Sequence, residues 1–201
     1  MSMDVNGYTT HQPLTAVAAL NATGLVVECG SGHYSTALLY SLCKAQGVKL
    51  LSFDEDPEWA RAMTAAYNGL HTVEYCPDIA ARLRAMPEAP DMLFVDNGAF
   101  KIAPLWERRR CLEVARDRNI RLTVCHDTEP CNRWKYQYDK AFPWFKHQVH
   151  FVGSCFRLSD KYPPRPWACA LSNSDDLQWL RDALPERPED AIAGQEAFDN
   201  A

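Results

Sequence analysis

Five short apolar runs recur along the chain at intervals of about 20 to 30 residues: LVVEC (25–29), KLLSF (49–53), HTVEY (71–75), MLFVD (92–96) and RLTVC (121–125). Each is continuous rather than alternating, as strands buried on both faces are. Helix-length stretches separate them, so the pattern predicts βαβ crossovers and a parallel sheet covered by helices on both sides. A chain of 201 residues, 47% of them apolar, suits one such domain with short additions.

Helix boundaries are marked in the same regions. Asp56-Pro57-Glu58 places an N-cap acid before a proline at the first helical position, and Pro104 opens LWERRRCLEVARDR in the same way. Gly47 stops a helix that begins near Ser35. After residue 128 the alternation breaks into an aromatic, polar segment, CNRWKYQYDKAFPWF. Two strand-like runs follow, HQVHFVG (147–153) and WACALS (167–172), with no helix between them. They are expected as an antiparallel pair at one edge of a sheet of about seven strands. The predicted domain spans 1–175, with an N-terminal arm over 1–22 and a segment over 128–146 that suits a substrate lid or a packed flap. Residues 176–201 are expected as an acidic, frayed tail.

Residues 173–201 carry eight acids and two bases, which leaves 18 acids and 19 bases in residues 1–172. A nearly neutral body gives no electrostatic footprint for a long nucleic acid. No apolar run approaches the ~20 residues that cross a bilayer. The start, MSMDVNGYTTHQPL, lacks the basic and apolar regions of a secretion signal, so a cytoplasmic protein without a membrane partner is expected. The eight cysteines contain no C-x-x-C pair and several sit in apolar runs, which signals neither a zinc site nor a disulfide framework.

In an open parallel sheet the ligand lies at the carboxyl ends of the strands, where strand order reverses. After the first run comes Glu28-Cys29-Gly30-Ser31-Gly32-His33-Tyr34-Ser35-Thr36, two glycines leading into a helix N-terminus. Ser35 stands where a dinucleotide fold wants its third glycine, which argues against a nicotinamide oxidoreductase. The second run ends in Asp54-Glu55-Asp56. Asp54 is the candidate for a ribose, with Glu55 beside it; Glu55 reads otherwise as a solvated acid and Asp56 as a helix cap.

The acid two residues before the first glycine, the E-x-G-x-G pattern with its following Ser-Thr, and the acids at the tips of the second and fourth strands resemble class I S-adenosylmethionine-dependent methyltransferases. More narrowly, YTTHQPL, VVECGSGHYST, LSFDEDPEW, FVDNG, VCHDTEP and RPWACALS are similar to a group of small methyltransferase-like proteins, over about residues 8–172. The resemblance implies a three-layer α/β/α Rossmann-like fold and S-adenosylmethionine as cofactor. It implies a cofactor loop of Glu28, Gly30, Ser31, Gly32, His33, Ser35 and Thr36, with Asp54 and Glu55 at the ribose and Asp96 beside the transferred methyl. Asp78 falls where such proteins hold the adenine, or else caps the helix IAARLRAM. Asn97-Gly98 departs from the signature of DNA amino-methyltransferases, so base methylation by that route is not expected.

The cluster His126-Asp127-Thr128-Glu129 ends the fifth run, and unpaired carboxylates are costly to bury there. His126 is a candidate general base, with Asp127 and Asp96 beside it. Alternatively Asp96, Asp127 and Glu129 hold Mg²⁺, or His126 and Asp127 only cap backbone groups. Tyr8, His11 and Gln12 of the arm are candidate acceptor contacts, together with Glu129. The helical run Arg108-Arg109-Arg110 fans through about 200 degrees, so only part of it can face a ligand, with Arg109 the candidate. The expected activity is methyl transfer to oxygen or nitrogen of a small-molecule acceptor. A Mg²⁺-assisted O-methyltransferase and a silent S-adenosylmethionine-binding scaffold are the alternatives, and a homodimer is left open.

Overall fold

The computed structural model describes residues 11–184 apart from 69, 99–105, 129 and 152–167. Seven strands form one sheet: β1 (Val26–Cys29), β2 (Leu50–Asp54), β3 (Val73–Tyr75), β4 (Met92–Val95), β5 (Leu122–His126), β6 (His147–Phe151) and β7 (Ala168–Ser172). Their spatial order is β3-β2-β1-β4-β5-β7-β6. The first five pair in parallel, and β7 runs antiparallel to both β5 and β6. The expected edge pair is present, with the later strand inserted on the inside.

Helices α1 (Gln12–Leu20), α2 (Ser35–Gln46), α3 (Pro57–Ala66), α4 (Ile79–Ala85) and α5 (Glu107–Asp117) alternate with the parallel strands. Then come α6 (Pro130–Tyr136), α7 (Tyr138–Ala141) and a 3₁₀ turn (Phe142–Trp144), with α8 (Gln178–Ala183) after β7. Gly47 ends α2 at φ 70, and Asp56 caps α3 through the N–H groups of Glu58 and Trp59. Every residue of β1, β4, β5 and β7 is buried, which is why their sequences do not alternate. One face packs Val27, Leu93 and Cys125 against Leu83, Leu112 and Tyr138. The other packs Val26, Phe94 and Val124 against Leu14, Leu39 and Leu180. Among the described residues, no helix is long and apolar enough to cross a membrane.

In the later part, the segment 130–144 places Tyr136, Tyr138, Ala141 and Phe142 in the core. Leu177, Leu180 and Leu184 bury an apolar side of α8 and its ends against the sheet. Residues 185–201 lie outside the described part.

Strand order reverses between β1 and β4, which pair in register from Val26 with Met92 to Cys29 with Val95. Beyond their tips Gly30 takes φ +83, and a Cβ there would lie 2.6 Å from the backbone of Asp96 and Asn97. Only glycine lets the two loops close on each other, and they frame the site.

Candidate functional site

Glu28 is fully buried and turns inward beneath the glycine loop. Ser52 Oγ donates to its carboxylate at 2.6 Å and Thr36 Oγ1 at 2.9 Å, while the N–H of Gly32 donates to Thr36 Oγ1 at 3.0 Å. Burial pushes the Glu28 carboxyl up to about 7, although those hydroxyls partly counter it. Glu28 therefore holds the loop from behind and does not line the cavity above it.

The tip of β2 supports the same loop from the side. Asp54 Oδ2 accepts from both N–H and Oγ of Ser31 at 2.8 Å, and Oδ1 accepts from the N–H of Asp56. Burial raises the Asp54 pKa, with those donors working against it. The Trp59 indole N–H donates to the carbonyl of Ser31 at 2.9 Å. Glu55 is buried rather than solvated, since its Oε1 accepts from the N–H of Gly98 and ties β2 to the loop after β4.

At the tips of β4 and β5 the charges converge on Arg108. Its Nη2 donates to Asp96 Oδ1 at 2.8 Å and its Nη1 lies 3.2 Å from Asp127 Oδ2. The same guanidinium donates to the carbonyls of Asn97 and His126 and lies 3.8 Å over the Tyr136 ring. His126 Nδ1 lies 3.2 Å from Asp96 Oδ2, and its Nε2 is 3.7 Å from Asp127 Oδ1. Asp127 takes a left-handed φ of 54, a strained conformation for a residue with a side chain, in which its carboxylate meets Arg108 and lies near the His126 ring. Burial alone would depress His126, but Asp96 and Asp127 outweigh it and raise its pKa. Burial likewise works against ionised Asp96, yet His126 and Arg108 hold it well below the usual carboxylate range.

Arg108, not Arg109, is the arginine that reaches the site. Arg109 pairs with Glu113 and Gln137, and Arg110 with Glu107 and Asp78. Asp78 caps α4 through the N–H of Ala81 and does not line the cavity. Gln12 sits at the start of α1, its amide 3.4 Å from the Tyr34 carbonyl. Tyr8 and Glu129 lie outside the described residues.

A cleft of two lobes opens above these groups. The larger, about 480 Å³, is lined by His11, Ser31–Ser35, Trp59, Asp96 and His126. The smaller, about 360 Å³, is lined by Gly30, Ser31, Asp54–Asp56, Trp59, Asp96–Gly98 and Arg108. Ser31, Trp59 and Asp96 belong to both. The sizes and the mixture of rings with a few directed polar groups are those of a small-molecule site.

Ligand atoms of Asp96, His126 and Asp127 lie within 4.8 Å of one another, close enough to gather round a cation. Both carboxylates face the Arg108 guanidinium, and the third of these groups is an imidazole, whereas Mg²⁺ favours hard oxygens. Glu129, the third acid of the expected set, lies outside the described residues. Arg108 already supplies a buried cation to both carboxylates.

No family model matches the chain, and no curated protein matches it in sequence. Solved structures match it in fold. Cofactor-bound Rv0187 from MTB is 14% identical at a TM-score of 0.57, over 87% of this chain and 84% of that one. TomG, an O-methyltransferase from Streptomyces achromogenes involved in tomaymycin synthesis and solved with SAM, is 17% identical at 0.54, over 82% and 79%. An O-methyltransferase from Bacillus cereus in complex with SAH is 14% identical at 0.53, over 86% and 84%. With that strand order, its reversed β7 and these likenesses, the chain has the class I methyltransferase fold.

Proposed function

We propose that this chain is an S-adenosylmethionine-dependent methyltransferase that acts on oxygen or nitrogen of a small-molecule acceptor. The observation that carries the reading is the meeting of two lobes at Asp96, one bounded by the β2-tip acid Asp54, the other by the helix N-terminus of α2 and the rings of His11 and His126. When bound, S-adenosylmethionine supplies a methyl group on a positively charged sulfur.

Each residue then has a physical task. Asp54 has one acceptor position left after its three internal hydrogen bonds, enough for one ribose hydroxyl. Glu28 and Thr36 hold the glycine loop close to the ligand. Asp96 stays ionised with 24% of its side chain accessible, and it favours a cationic group where the lobes join. Catalysis on this reading is mainly orientation of the two reactants. His126 is not given the base role on this reading: Asp96 and Asp127 raise its pKa, which works against an imidazole whose task would be to take up a proton as the methyl moves. It serves as a fixed counter-charge to Asp96.

Calorimetry with S-adenosylhomocysteine, S-adenosylmethionine and NAD tests the reading. Binding of the first two without NAD is expected; binding of NAD with no response to either of the others overturns it.

A further inference from the structure

His11 is 2% exposed, and neither of its ring nitrogens has a hydrogen-bond partner among the described residues. The ring stands at the N-terminus of α1, edge-on to His126 with centroids 4.5 Å apart and tilted on Phe94 at 5.2 Å. It lines the larger lobe opposite the glycine loop. Buried polar atoms are nearly always paired, and an unpaired one costs its lost hydration. A phenylalanine would fill the same space without that cost. The bare nitrogens are therefore best explained by a ligand that completes them.

We infer that His11 is the residue that recognises the methyl acceptor, taking a hydrogen bond from its O–H or N–H, and that the acceptor is a small uncharged molecule presenting that donor from an apolar body. This rests on the proposed function for the assignment of the larger lobe to the acceptor. Burial, aided by the neighbouring charges of His126 and Arg108 and opposed by Asp96, depresses the His11 pKa to about 3. His11 is thus a neutral imidazole, with one nitrogen that accepts whichever tautomer is present. The Arg108 guanidinium near the ring is already paired with Asp96 and Asp127. A carboxylate on the acceptor would therefore find no free arginine there among the described side chains, and the neutral His11 offers no charge to an ionised group. Tyr34 and Trp59 supply apolar walls for the body of the ligand.

The test uses phenol and toluene, alike in shape and different in one O–H, measured by ligand-observed NMR on the full chain saturated with S-adenosylhomocysteine. Phenol is expected to bind at least tenfold more tightly than toluene and to shift the His11 ring ¹⁵N resonances. In His11→Phe the two ligands should bind alike, and in His11→Gln, which keeps an acceptor oxygen, part of the preference should return. Equal binding of the two to the wild-type protein, or a phenol preference that survives in His11→Phe, overturns the inference. Should His11→Phe fail to fold, the wild-type ratio and the ¹⁵N shift still decide. If S-adenosylhomocysteine itself does not bind, the proposed function fails, and the same pair measured on the ligand-free chain judges His11 separately.

Discussion

Asp96 Oδ1 accepts from Arg108 Nη2 at 2.8 Å, and the other terminal nitrogen of that guanidinium reaches Asp127 at 3.2 Å. One arginine on α5 thus joins the tips of β4 and β5. Removing one partner of a buried charge network costs about 3 to 5 kcal/mol, because the remaining charges are left uncompensated. Arg108→Met is expected to lose stability on that scale in denaturant melts. The wild-type melting temperature should not respond to Mg²⁺ or to a chelator. Arg108→Met, with its acids unmatched, should be stabilised by Mg²⁺. A wild-type protein that gains stability from millimolar Mg²⁺ would contradict the reading of Arg108 as the resident cation.

His126 leads to a pH dependence of known sign. Its pKa is higher in the folded chain than in the unfolded one, so its contribution is fully present below the unfolded value near 6.5 and fades as pH rises through the folded value. His126→Gln should therefore cost more stability at pH 6 than at pH 9. It should also weaken binding of S-adenosylhomocysteine modestly by disturbing Asp96. A loss confined to turnover, with stability and affinity untouched at both pH values, would restore the base role.

Glu28 gives the opposite kind of test, a group whose ionisation opposes folding. Below its ordinary value of 4.5 the carboxyl is protonated in both states; between 4.5 and about 7 the unfolded chain has released the proton and the folded chain has not. Stability should fall across that window by about 3 kcal/mol and then level off. Glu28→Gln keeps the shape and removes the titration, so its stability curve should lack this slope. Urea melts of both proteins at pH 5, 6, 7 and 8 measure the difference, and parallel curves would show that Glu28 ionises normally.

The strands and their tips were legible because burial on both faces leaves a continuous apolar run, and the caps because Asp56-Pro57 and Gly47 are local signals. The same burial hid other features. A strand that does not alternate says nothing about which way Glu28 points. The choice between Arg108 and Arg109 depends on the rotation of α5, set by Cys111, Leu112, Val114 and Ala115 packing inward, and three adjacent arginines carry no such phase. Glu55 looked solvated because its partner, the N–H of Gly98, is 43 residues away. His11 was a candidate from the arm alone, while its unpaired nitrogens follow only from how α1 lies beside β4 and β5.

Asp54 and Asp56 are two residues apart, and the structure gives them different work. Asp54 faces the smaller lobe and braces Ser31. Asp56, though it lines the same lobe, spends Oδ1 on the N–H groups of Glu58 and Trp59 as the cap of α3. Asp54→Asn removes the negative charge and one acceptor oxygen while keeping the side chain's shape. It is expected to weaken S-adenosylhomocysteine binding by about 1.5 to 3 kcal/mol, the worth of a hydrogen bond to a charged group. Asp56→Ala should instead lower stability by about 1 kcal/mol, the usual value of an N-cap, with little change in affinity. Calorimetry and thermal melts on the two variants separate the roles. If affinity follows Asp56 and ignores Asp54, the ribose contact lies with Asp56 and the internal bonds of Asp54 are its whole function.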